Sequence, residues 1–487
     1  MVKLLHILNS IKPLEIRGDK GIDIRQVVFD SRKASKGDLF VAVRGVKQDG
    51  HDYIDEVTAR GVQAVICESL PSILNEQVTY IRVESSPKSL GQAASAFYGN
   101  PSAKMKLVGV TGTNGKTTTA TLLYKLFSGL GYKCGLFSTV SNYIMDQPSG
   151  ATHTTPDAVQ MNALMQQMVE SGCSHCFMEV SSHAVDQNRI AGLQYAGAIF
   201  TNLTHDHLDY HKTFENYLKA KKQFFDLLSP QAFAIVNKDD RNGLVMVQNT
   251  KAQVKTYALR SVADYTARIV ESHIDGTLLR MDGKEVWTRL KGEFNAYNFL
   301  AVYAAAMALG EEEERVLQVM SELKEVRGRF ETLQSPNGIT AIIDYAHTPD
   351  ALDNILHAIL RLKTAGARVI SVVGAGGDRD KTKRPVMGKI AASLSDRLII
   401  TSDNPRSEEP EAIIQDVLAG VDEDGRSKVT TIVNREEAIR AACLLAQPGD
   451  IILVAGKGHE TYQEINGVKH HFDDREIVSK QFGLTNP

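Results

Sequence analysis

The sequence has few cysteines: five in 487 residues, an odd number spread along the chain. Such a set does not match the paired framework of a disulfide-stabilised extracellular domain, so we expect a reducing compartment. Cys173 and Cys176 have the spacing of a redox or metal-binding pair, but no second pair accompanies them in the sequence. Their flanks are typical of a helix end that leads into a strand, which favours two structural cysteines.

Long apolar runs are also missing. The longest, from Phe299 to Leu309, is too short to cross a bilayer. The N-terminal stretch MVKLLHILNSI contains an apolar run that is too short for a signal peptide. We therefore expect a cytoplasmic protein without a membrane span.

Neither sign of charge is in large excess, since the net formal charge is −3. Nucleic acids and anionic membranes favour a basic surplus, so neither is an expected partner. The sequence is 43% apolar and 23% charged, as is typical of a soluble globular protein. At roughly 100 to 200 residues per domain, the length predicts about three domains. We find no internal repeat and no low-complexity segment.

The most informative stretch is KLVGVTGTNGKTTT, residues 106–119. Its apolar start is typical of a buried parallel strand, its middle is glycine-rich, and a helix is predicted from Thr117. This order forms a phosphate-binding unit, because backbone N–H groups and a helix N-terminus face one anion. The usual pattern G-x-x-x-x-G-K-[ST] would place a glycine at Val110, so a turn without function is the alternative. We expect ATP binding, with Lys116 at the β/γ-phosphates and Thr117 on Mg²⁺.

Two polar stretches follow further predicted strands. Glu179 ends the strand CFMEV, and a carboxylate at the carboxyl end of a strand beside a phosphate loop can hold Mg²⁺. The next predicted strand leads into THDHLDYH, residues 204–211. The His and Asp content of this loop favours a metal or phosphate role over a merely solvated surface.

Two other polar stretches have a simpler structural interpretation. In HTTPD, residues 153–157, a threonine precedes a proline, which predicts a helix that begins at Pro156. Asp30-Ser-Arg32 lies between two predicted strands and precedes a turn at residues 36–38. Polar residues in such positions mostly form turns.

One lysine falls on an apolar helix face. The predicted helix over residues 214–228 has an apolar stripe, and at about 100° per residue Lys221 lies in the middle of that stripe. Its ammonium group either extends outward to solvent along its aliphatic stem or is held inward for chemistry. The pattern leaves both possibilities open.

The chain after residue 330 alternates apolar strands with helical segments, which predicts another parallel α/β unit. Ligands of such sheets bind at the carboxyl ends of the strands. Gly374-Ala-Gly376 is similar to a dinucleotide fingerprint, but Arg379 stands where its third glycine would be, which argues against NAD. The polar strand ends are DYAH (344–347), GAGGDR (374–379), DNPR (403–406) and GKGHE (456–460).

Taken together, these motifs resemble the Mur ligases from end to end. The incomplete first glycine of the phosphate loop is itself a trait of that family. DNPR, residues 403–406, is similar to the signature of members that add meso-diaminopimelate rather than lysine. The motifs that carry the resemblance are, in order, TGTNGKTTT, MEVSSH, THDHLD, GEFNAYN, DYAHTPD, GGDRDKTKRPVM, DNPRSEEP and AGKGHE.

The resemblance implies an α/β fold with three domains. These are a small α/β UDP-sugar-binding domain over residues 1–100, a central P-loop ATPase with a parallel sheet over 101–330, and a Rossmann-like amino-acid-binding domain over 331–487. We expect a monomer.

The implied reaction is an ATP-dependent ligation in cytoplasmic peptidoglycan precursor synthesis, and therefore in cell-wall formation, cell shape and cell division. ATP would phosphorylate the D-Glu side-chain carboxylate of UDP-MurNAc-L-Ala-D-Glu, and the amine of meso-diaminopimelate would attack the acyl phosphate. ADP and phosphate are then the products. The chemistry is consistent, because a carboxylate acylates poorly until phosphorylation supplies a leaving group, and Lys116 and Mg²⁺ offset the added charge.

The resemblance also implies roles for individual residues. The ATP site would contain Gly112, Thr113, Asn114, Gly115, Lys116, Thr117, Thr118, Asn295 and His347. The Mg²⁺ site would contain Thr117, Glu179, His207 and Lys221, with Lys221 carbamylated to N6-carboxylysine. The UDP-MurNAc-dipeptide site would contain Ser31, Thr154, Thr155, Ser181, Gln187 and Arg189. The meso-diaminopimelate site would contain Arg379, Asp403, Asn404, Pro405, Arg406, Gly456 and Glu460. Catalysis would depend on Lys116, Lys221, Glu179 and His207.

Three alternative functions are compatible with parts of the pattern. A Mur ligase that adds L-lysine shares everything except the DNPR signature. A folylpolyglutamate synthetase shares the ATPase and the acyl-phosphate chemistry, but it is not expected to carry DNPR or the leading domain with Asp30-Ser-Arg32. A nucleotide-binding switch without synthetase activity would need the phosphate loop but not the polar strand ends of the last domain.

Overall fold

A computed structural model describes residues 1–45, 48–150 and 154–484, so His153 of the predicted helix start lies outside the described residues. These ranges contain three large sheets, each packed against helices, which confirms the predicted α/β fold class. In the same ranges we find no helix with the length and apolar character needed to cross a membrane.

The first sheet has five strands, with a buried apolar cluster on each face. Four strands are parallel, and the edge strand Glu15–Arg17 is antiparallel to its neighbour. In spatial order the strands are Glu15–Arg17, Thr79–Arg82, Ala64–Cys67, Leu39–Val41 and Val27–Val28. A small pair, Val2–Lys3 with Asp23–Ile24, lies apart from them. The helices are Leu4–Leu8, Ile54–Ala59 and Ser86–Phe97, with 3-10 turns at Ser31–Lys33 and Gly50–Tyr53.

The second sheet has eleven strands and is parallel through its centre. In spatial order they are Gln147–Ser149, Asn142–Ile144, Cys134–Phe137, His175–Glu179, Lys106–Thr111, Gly197–Phe200, Phe233–Asn237, Gln253–Ala258, Tyr265–His273, Gly276–Met281 and Lys284–Thr288. The helices are Lys116–Gly129, Ala158–Glu170, Ser182–Asp186, Leu208–His211, Phe214–Asp226, Gly243–Met246, Glu293–Ala308 and Glu313–Glu322, with a 3-10 turn at Pro101–Lys104.

The third sheet has six strands, and its edge strand Glu331–Gln334 is antiparallel to the rest. In spatial order they are Glu331–Gln334, Thr340–Asp344, Ile451–Ala455, Val369–Ala375, Arg397–Ser402 and Val429–Thr431. The helices are Pro349–Leu362, Lys383–Leu394, Pro410–Leu418, Glu423–Arg426, Arg435–Leu445 and Asp474–Gln481. A separate hairpin, Tyr462–Ile465 with Val468–His471, follows the strand Ile451–Ala455 in the sequence.

The strand Lys106–Thr111 lies in the centre of the second sheet, between His175–Glu179 and Gly197–Phe200. Helices cover both faces of the sheet, so these parallel strands are apolar along nearly their whole length. Parallel strands end at the same edge, which brings the segments after Thr111, Glu179 and Phe200 together. The sheet topology therefore places the predicted phosphate loop beside the predicted Mg²⁺ residues.

The helix after the HTTPD segment begins later than the sequence predicts. It spans Ala158–Glu170, and Asp157 is its N-cap residue. The Asp157 carboxylate accepts hydrogen bonds from Val159 N (3.0 Å) and Gln160 N (2.9 Å). The prediction of a helix that begins at Pro156 is wrong, because a carboxylate that satisfies two free helical N–H groups is the better cap.

Cys173 and Cys176 are both buried and unpaired, at the end of one helix and inside the strand His175–Glu179. Burial raises the pKa of the Cys173 thiol and raises the pKa of Cys176 well above its usual range. Both thiols are therefore protonated near neutral pH and react poorly. The structural interpretation of this pair is confirmed.

Candidate active site

A cavity of about 910 Å³ lies at the carboxyl ends of the second sheet and extends to the third. Most of the predicted site residues share this cavity, although they come from distant parts of the sequence. Those in its lining are Thr113, Asn114, Gly115, Lys116, Thr117, Thr118, Thr154, Thr155, Glu179, Ser181, Arg189, His207, Lys221, His347 and Arg379.

The phosphate loop, residues 112–115, joins the strand Lys106–Thr111 to the helix Lys116–Gly129. Gly112 has φ 156° and Gly115 has φ 85°. A Cβ at Gly112 would collide with the Thr201 hydroxyl, and one at Gly115 would collide with the Asn298 amide. Both glycines are therefore required by conformation and by space.

Thr201 and Asn202, which follow the neighbouring strand Gly197–Phe200, hold the phosphate loop in place. Thr201 Oγ1 donates to the carbonyl oxygen of Asn114 at 2.6 Å. Asn202 accepts from the backbone N–H of Asn114 through its side chain (2.9 Å) and from that of Thr113 through its carbonyl (2.8 Å). The loop backbone is thus fixed from outside as well as by its own glycines.

Lys116 is at the start of the phosphate-loop helix, where the helix dipole is positive. Its Nζ donates to the carbonyl oxygens of Gly112 (3.0 Å) and Thr113 (2.8 Å). Burial lowers the pKa of Lys116, and the Glu179 carboxylate opposes that effect. A cation and a helix N-terminus at one loop are suited to bind phosphate.

Arg329 reaches the first turn of the helix after the phosphate loop from the segment that precedes the third sheet. Its Nη2 donates to Thr117 Oγ1 at 3.0 Å, and its guanidinium lies 4.5 Å from the centre of the Tyr345 ring. The sequence analysis did not identify Arg329 as a site residue. The charged RGRFE segment at residues 327–331 was visible in the sequence, but nothing local related it to residue 117.

Asp350 makes a second contact between the third sheet's domain and the phosphate loop. Its Oδ2 accepts from Asn114 Nδ2 (2.7 Å) and from Thr204 Oγ1 (3.2 Å). Burial raises the pKa of Asp350. The sequence analysis missed this residue too, because an aspartate in the first turn of the helix Pro349–Leu362 is expected for capping alone.

Glu179 is buried at the end of its strand and is oriented by Thr139. The backbone N–H of Thr139 donates to Oε1 at 2.6 Å, and its hydroxyl donates to Oε2 at 3.2 Å. The same hydroxyl lies 3.1 Å from Thr154 Oγ1. Thr155 Oγ1 donates to the Glu179 carbonyl at 2.8 Å, so Glu179 and the predicted dipeptide residues form one network.

The other residues of this region that were predicted to bind the UDP-MurNAc-dipeptide extend the same network. The Ser181 N–H donates to Thr155 Oγ1 at 3.2 Å, and Arg189 Nη1 donates to the Thr155 carbonyl at 3.0 Å. Gln187 is not in the cavity lining, but its Oε1 accepts from Arg189 Nε (3.0 Å) and Nη2 (2.6 Å). Gln187 therefore orients the guanidinium that faces the cavity.

Lys221 points inward, so the first of the two possibilities left by the sequence, an ammonium group that extends outward to solvent, is wrong. It is 1% exposed, and its Nζ donates to the Gly112 carbonyl at 2.7 Å. Burial, with Lys116 nearby, holds the pKa of Lys221 well below its usual range. By contrast, Lys219 on the same helix has a 66% exposed side chain and pairs with Glu215.

His207 belongs to the loop after the strand Gly197–Phe200 and has φ 55°. Burial lowers its pKa to about 3, while the Asp206 carboxylate 3.5 Å away opposes the shift. The imidazole is therefore neutral at physiological pH, which is the form that can ligate a metal ion. Its ring lies 5.0 Å from the ring of His183, another cavity residue.

The two predicted adenosine contacts have different positions. His347 lines the cavity, and burial lowers its pKa to about 4. Asn295 is buried outside the lining; its Nδ2 donates to the Lys291 carbonyl, and its Oδ1 accepts from Asn298 Nδ2 at 3.2 Å. Asn298, one helical turn later, lines the cavity and contacts the phosphate loop at Gly115.

The predicted amino-acid residues form a polar cluster at the strand ends of the third sheet. Asn404 Nδ2 donates to Glu460 Oε2 at 2.7 Å. Gly456 has φ 116°, and a Cβ there would lie 2.5 Å from Asp403 Oδ2, so the backbone approaches that carboxylate closely. The Pro405 carbonyl packs directly against Gly377, which closes the cluster on one side.

Two arginines flank Gly376 at the edge of this cluster. Arg406 has φ 54°; its Nη1 donates to the Gly377 carbonyl at 2.7 Å, and its Nε lies 3.5 Å from Glu464 Oε2. Arg379 is exposed and lines the large cavity. The cluster is therefore connected to the cavity through Arg379.

Ser31 is separate from the other predicted residues. It begins the 3-10 turn Ser31–Lys33, for which Asp30 is the N-cap residue, and its carbonyl accepts from Arg60 Nη1 at 2.9 Å. It is partly exposed and does not line the cavity. A ligand that contacts Ser31 would have to extend from the first sheet's domain.

In the described ranges, no group of three or more His, Cys, Asp or Glu side chains is arranged to hold a metal ion. The predicted Mg²⁺ set is of another kind, since it combines the Thr117 hydroxyl, the Glu179 carboxylate, His207 and Lys221. All four line the same cavity. Mg²⁺ is commonly held by one or two carboxylates together with substrate phosphates and water, so this donor set fits provided that a phosphate binds beside it.

Three separate parts of the chain match models of known protein families. Residues 23–98 match the model described as "Mur ligase family, catalytic domain", residues 110–306 match "Mur ligase middle domain", and residues 328–458 match "Mur ligase, glutamate ligase domain".

Similar proteins match over nearly the whole chain. A curated protein of Bacteroides fragilis, named UDP-N-acetylmuramoyl-L-alanyl-D-glutamate--2,6-diaminopimelate ligase, is 56% identical over 99% of this chain and 100% of its own length. A solved structure with that name is 31% identical, with a TM-score of 0.71 and 99% of each chain covered. The MurF ligase of Thermotoga maritima in complex with ADP has the same fold, at 21% identity and a TM-score of 0.62, with 94% of this chain and 97% of its own covered. The chain belongs to the Mur ligase family.

Proposed function

We propose that this protein is an ATP-dependent ligase that adds meso-diaminopimelate to the D-Glu side-chain carboxylate of UDP-MurNAc-L-Ala-D-Glu, as a step of peptidoglycan precursor synthesis. The 56% identity to a diaminopimelate ligase over 99% of the chain is the main support. The alternative of a folylpolyglutamate synthetase or a nucleotide switch is disfavoured by the same match.

Within the structure, the composition of the cavity supports the proposal. Lys116 and Thr117 of the phosphate loop line it together with Thr155, Ser181 and Arg189. A phosphate donor and a carboxylate acceptor could therefore meet inside one enclosure of about 910 Å³. Such proximity favours phosphoryl transfer, since this reaction depends mainly on positioning and on charge stabilisation.

We propose the following sequence of bond changes. The D-Glu carboxylate attacks the γ-phosphorus of ATP, an acyl–phosphate bond forms, and ADP leaves. The uncharged amine of the amino acid then attacks the acyl carbon, the C–O bond to phosphate breaks, and an amide forms. The amine gives up one proton, which the departing phosphate takes. Lys116 and the phosphate-loop N–H groups would bind the transferred phosphoryl group in the first step.

The residues Thr117, Glu179 and His207 would hold Mg²⁺ in this scheme. When bound, the ion would offset the charge of the β- and γ-phosphates. Thr139 supports this role, because its two hydrogen bonds fix both oxygens of Glu179. The neutral state of His207 also agrees with it.

We propose that Lys221 is carbamylated. As an ammonium group it would be a fully buried cation beside a second cation, Lys116, and the only hydrogen bonds described for it are to uncharged oxygens of Gly112 and Thr111. Burial of an unpaired charge is costly, and an uncharged amine is the form that reacts with CO₂. The carbamate would supply anionic oxygen ligands beside the phosphate loop.

The three domains would divide the substrates among them. We propose that residues 1–100 bind the UDP-sugar with Ser31, that residues 101–330 bind ATP, and that residues 331–487 bind the amino acid. The cytoplasm is the proposed location, since all five cysteines are unpaired and belong in a reducing compartment. We propose a monomer, the state expected from the family resemblance.

The proposed function is tested by incubating the protein with ATP, UDP-MurNAc-L-Ala-D-Glu and one candidate amino acid at a time. We expect phosphate release and a tripeptide product with meso-diaminopimelate, and little of either with L-lysine or L-glutamate. Phosphate release that needs no amino acid would instead favour a nucleotide switch. In a separate incubation with ATP, L-glutamate and a folate substrate, phosphate release as fast as with the proposed substrates would favour the polyglutamate synthetase alternative.

The proposal for Lys221 predicts that Lys221→Ala loses ligase activity and that added short carboxylic acids restore part of it. Alanine leaves a space that a free carboxylate can enter in place of the carbamate. Steady-state phosphate release with and without acetate measures the effect. Lys219→Ala, on the exposed side of the same helix, is the matched control and should remain active and insensitive to acetate. Full activity of Lys221→Ala would contradict the carbamate.

A further inference from the structure

A fully buried lysine lies within the polar cluster of the third sheet's domain. The Lys457 side chain is 0% exposed. Its Nζ lies 3.1 Å from Asn404 Oδ1, 3.2 Å from Glu460 Oε2 and 4.0 Å from Asp403 Oδ1. Neither the sequence analysis nor the proposed function gives this lysine a role.

Lys457 and the backbone N–H of Glu464 together fix which way the Asn404 amide faces. Asn404 Oδ1 accepts from Lys457 Nζ and from the backbone N–H of Glu464 (2.9 Å). An ammonium group can only donate, so the amide oxygen must face it and the amide nitrogen must face away. Nδ2 is thereby directed at Glu460 Oε2, to which it donates at 2.7 Å.

The contacts on Glu460 are one-sided. Lys457 and Asn404 both bond to Oε2, so Oε1 is the oxygen that an incoming ammonium group would approach. Burial raises the pKa of Glu460, the Asp403 carboxylate raises it further, and Lys457 lowers it. The other ionisable groups that act on Glu460 are Arg435, paired with Asp474 at 2.8 Å, and the Tyr345 phenol.

We propose that Lys457 is a positioning residue that, together with Asn404, holds Glu460 Oε2 and leaves Glu460 Oε1 for the ammonium group of the incoming amino acid. This inference rests on the proposed function, in which Glu460 contacts that amino acid. It adds a specificity determinant that touches no substrate itself: Lys457 acts through the orientation of Asn404 and the charge of Glu460.

A purely structural role would depend on packing rather than on charge. The Lys457 ammonium lies 5.6 Å from the centre of the Tyr462 ring and 6.0 Å from that of Phe472. Methionine keeps the length and apolar stem of lysine without its charge. Lys457→Met therefore separates the two roles.

The test uses the full-length protein and measures the KM for each of the three substrates from mildly acidic to mildly alkaline pH. We expect Lys457→Met to raise the KM for the amino acid roughly 10-fold or more, since a hydrogen bond to a charged group is typically worth about a factor of ten or more. The KM values for ATP and the UDP-dipeptide should change little. Lys469→Met, which removes a cation 4.1 Å from the centre of the Tyr462 ring, is the control and should behave as wild type.

The pH dependence has a defined sign. Without the Lys457 cation, the pKa of Glu460 rises further. The acidic limb of kcat/KM for the amino acid should therefore move to higher pH in Lys457→Met, and the difference in kcat/KM between this variant and the wild type should shrink as pH rises. Asp403→Asn removes the like charge and should move the same limb to lower pH. That variant shows whether the limb belongs to Glu460. Lys457→Gln, which removes the charge and keeps a polar side chain, tests the role of Lys457 if Lys457→Met fails to fold.

The positioning role is overturned if Lys457→Met leaves the KM for the amino acid unchanged. It is also overturned if all three KM values rise together and the acidic limb stays in place. Wild-type protein that uses a different amino acid would defeat the proposed function alone, and the Lys457 comparison would then be made with that amino acid. Wild-type protein that uses none would defeat both.

Discussion

Lys116→Ala is expected to lower the kcat of ligation by about 10²-fold or more, the cost of removing one preorganised group that stabilises transition-state charge. Lys116 is at the start of the phosphate-loop helix, and its Nζ is already held over the loop by the carbonyls of Gly112 and Thr113. The charge it supplies needs no reorganisation when the phosphoryl group moves. Alanine removes this charge and leaves the glycine conformations of the loop intact.

The measurement is phosphate release under saturating concentrations of all three substrates, accompanied by a thermal unfolding curve to show that the variant is folded. Lys106→Ala is the matched control, because Lys106 is exposed at the opposite end of the strand that leads into the same loop. It should retain wild-type turnover. Near-normal turnover of Lys116→Ala would refute the phosphate-loop assignment and the proposed first step with it.

The second large effect concerns amino-acid selection. We expect wild-type protein to prefer meso-diaminopimelate over L-lysine by about 10⁴-fold in kcat/KM, since a polar site rejects a competitor that lacks its partner group. The two amino acids differ at the far end, where only diaminopimelate carries a carboxylate. An arginine guanidinium pairs with that group through two parallel hydrogen bonds, and leaving it unpaired when partly buried is costly.

Arg406 is the proposed partner, with a side chain that is 20% exposed and fixed by the Gly377 carbonyl. Arg406→Ala should therefore lower kcat/KM for meso-diaminopimelate steeply and leave the KM values for ATP and the UDP-dipeptide nearly unchanged. L-lysine should remain a poor substrate, because the variant gains nothing that binds its ammonium group. Arg397→Ala, at the exposed start of the strand Arg397–Ser402, is the control. Equal use of both amino acids by the wild type would contradict this assignment.

The parallel strands, the phosphate loop and most of the helices follow from short sequence patterns. Gly112, Gly115, Lys116 and Thr117 lie within six residues, so their arrangement is set by one turn between a strand and a helix. Glu179 was predicted correctly as a strand-end residue of the same cavity, because parallel strands end at a common edge. The exact start of the helix at Ala158 was not predictable in this way, since both Thr155 and Asp157 are residue types that cap helices.

The direction in which a side chain points could not be predicted without the elements packed against it. The helical pattern of residues 214–228 left Lys221 either inward or outward, and the decision depended on the carbonyl of Gly112, 109 residues earlier in the chain. In the same way, only the packing of the helix Glu293–Ala308 shows that Asn298, rather than Asn295, faces the phosphate loop.

The sequence by itself determined the fold class, the family and the local motifs, because these depend on periodicity and on spacings of a few residues. The tertiary structure decided which motifs meet. Arg329 donates to Thr117 across 212 residues, and Asp350 accepts from Asn114 across 236 residues. Lys457 likewise contacts Asn404 across 53 residues. No local pattern encodes such pairs. The first two depend on how the strand ends of the second sheet are packed against the third sheet's domain, and the last depends on which strands lie side by side within the third sheet.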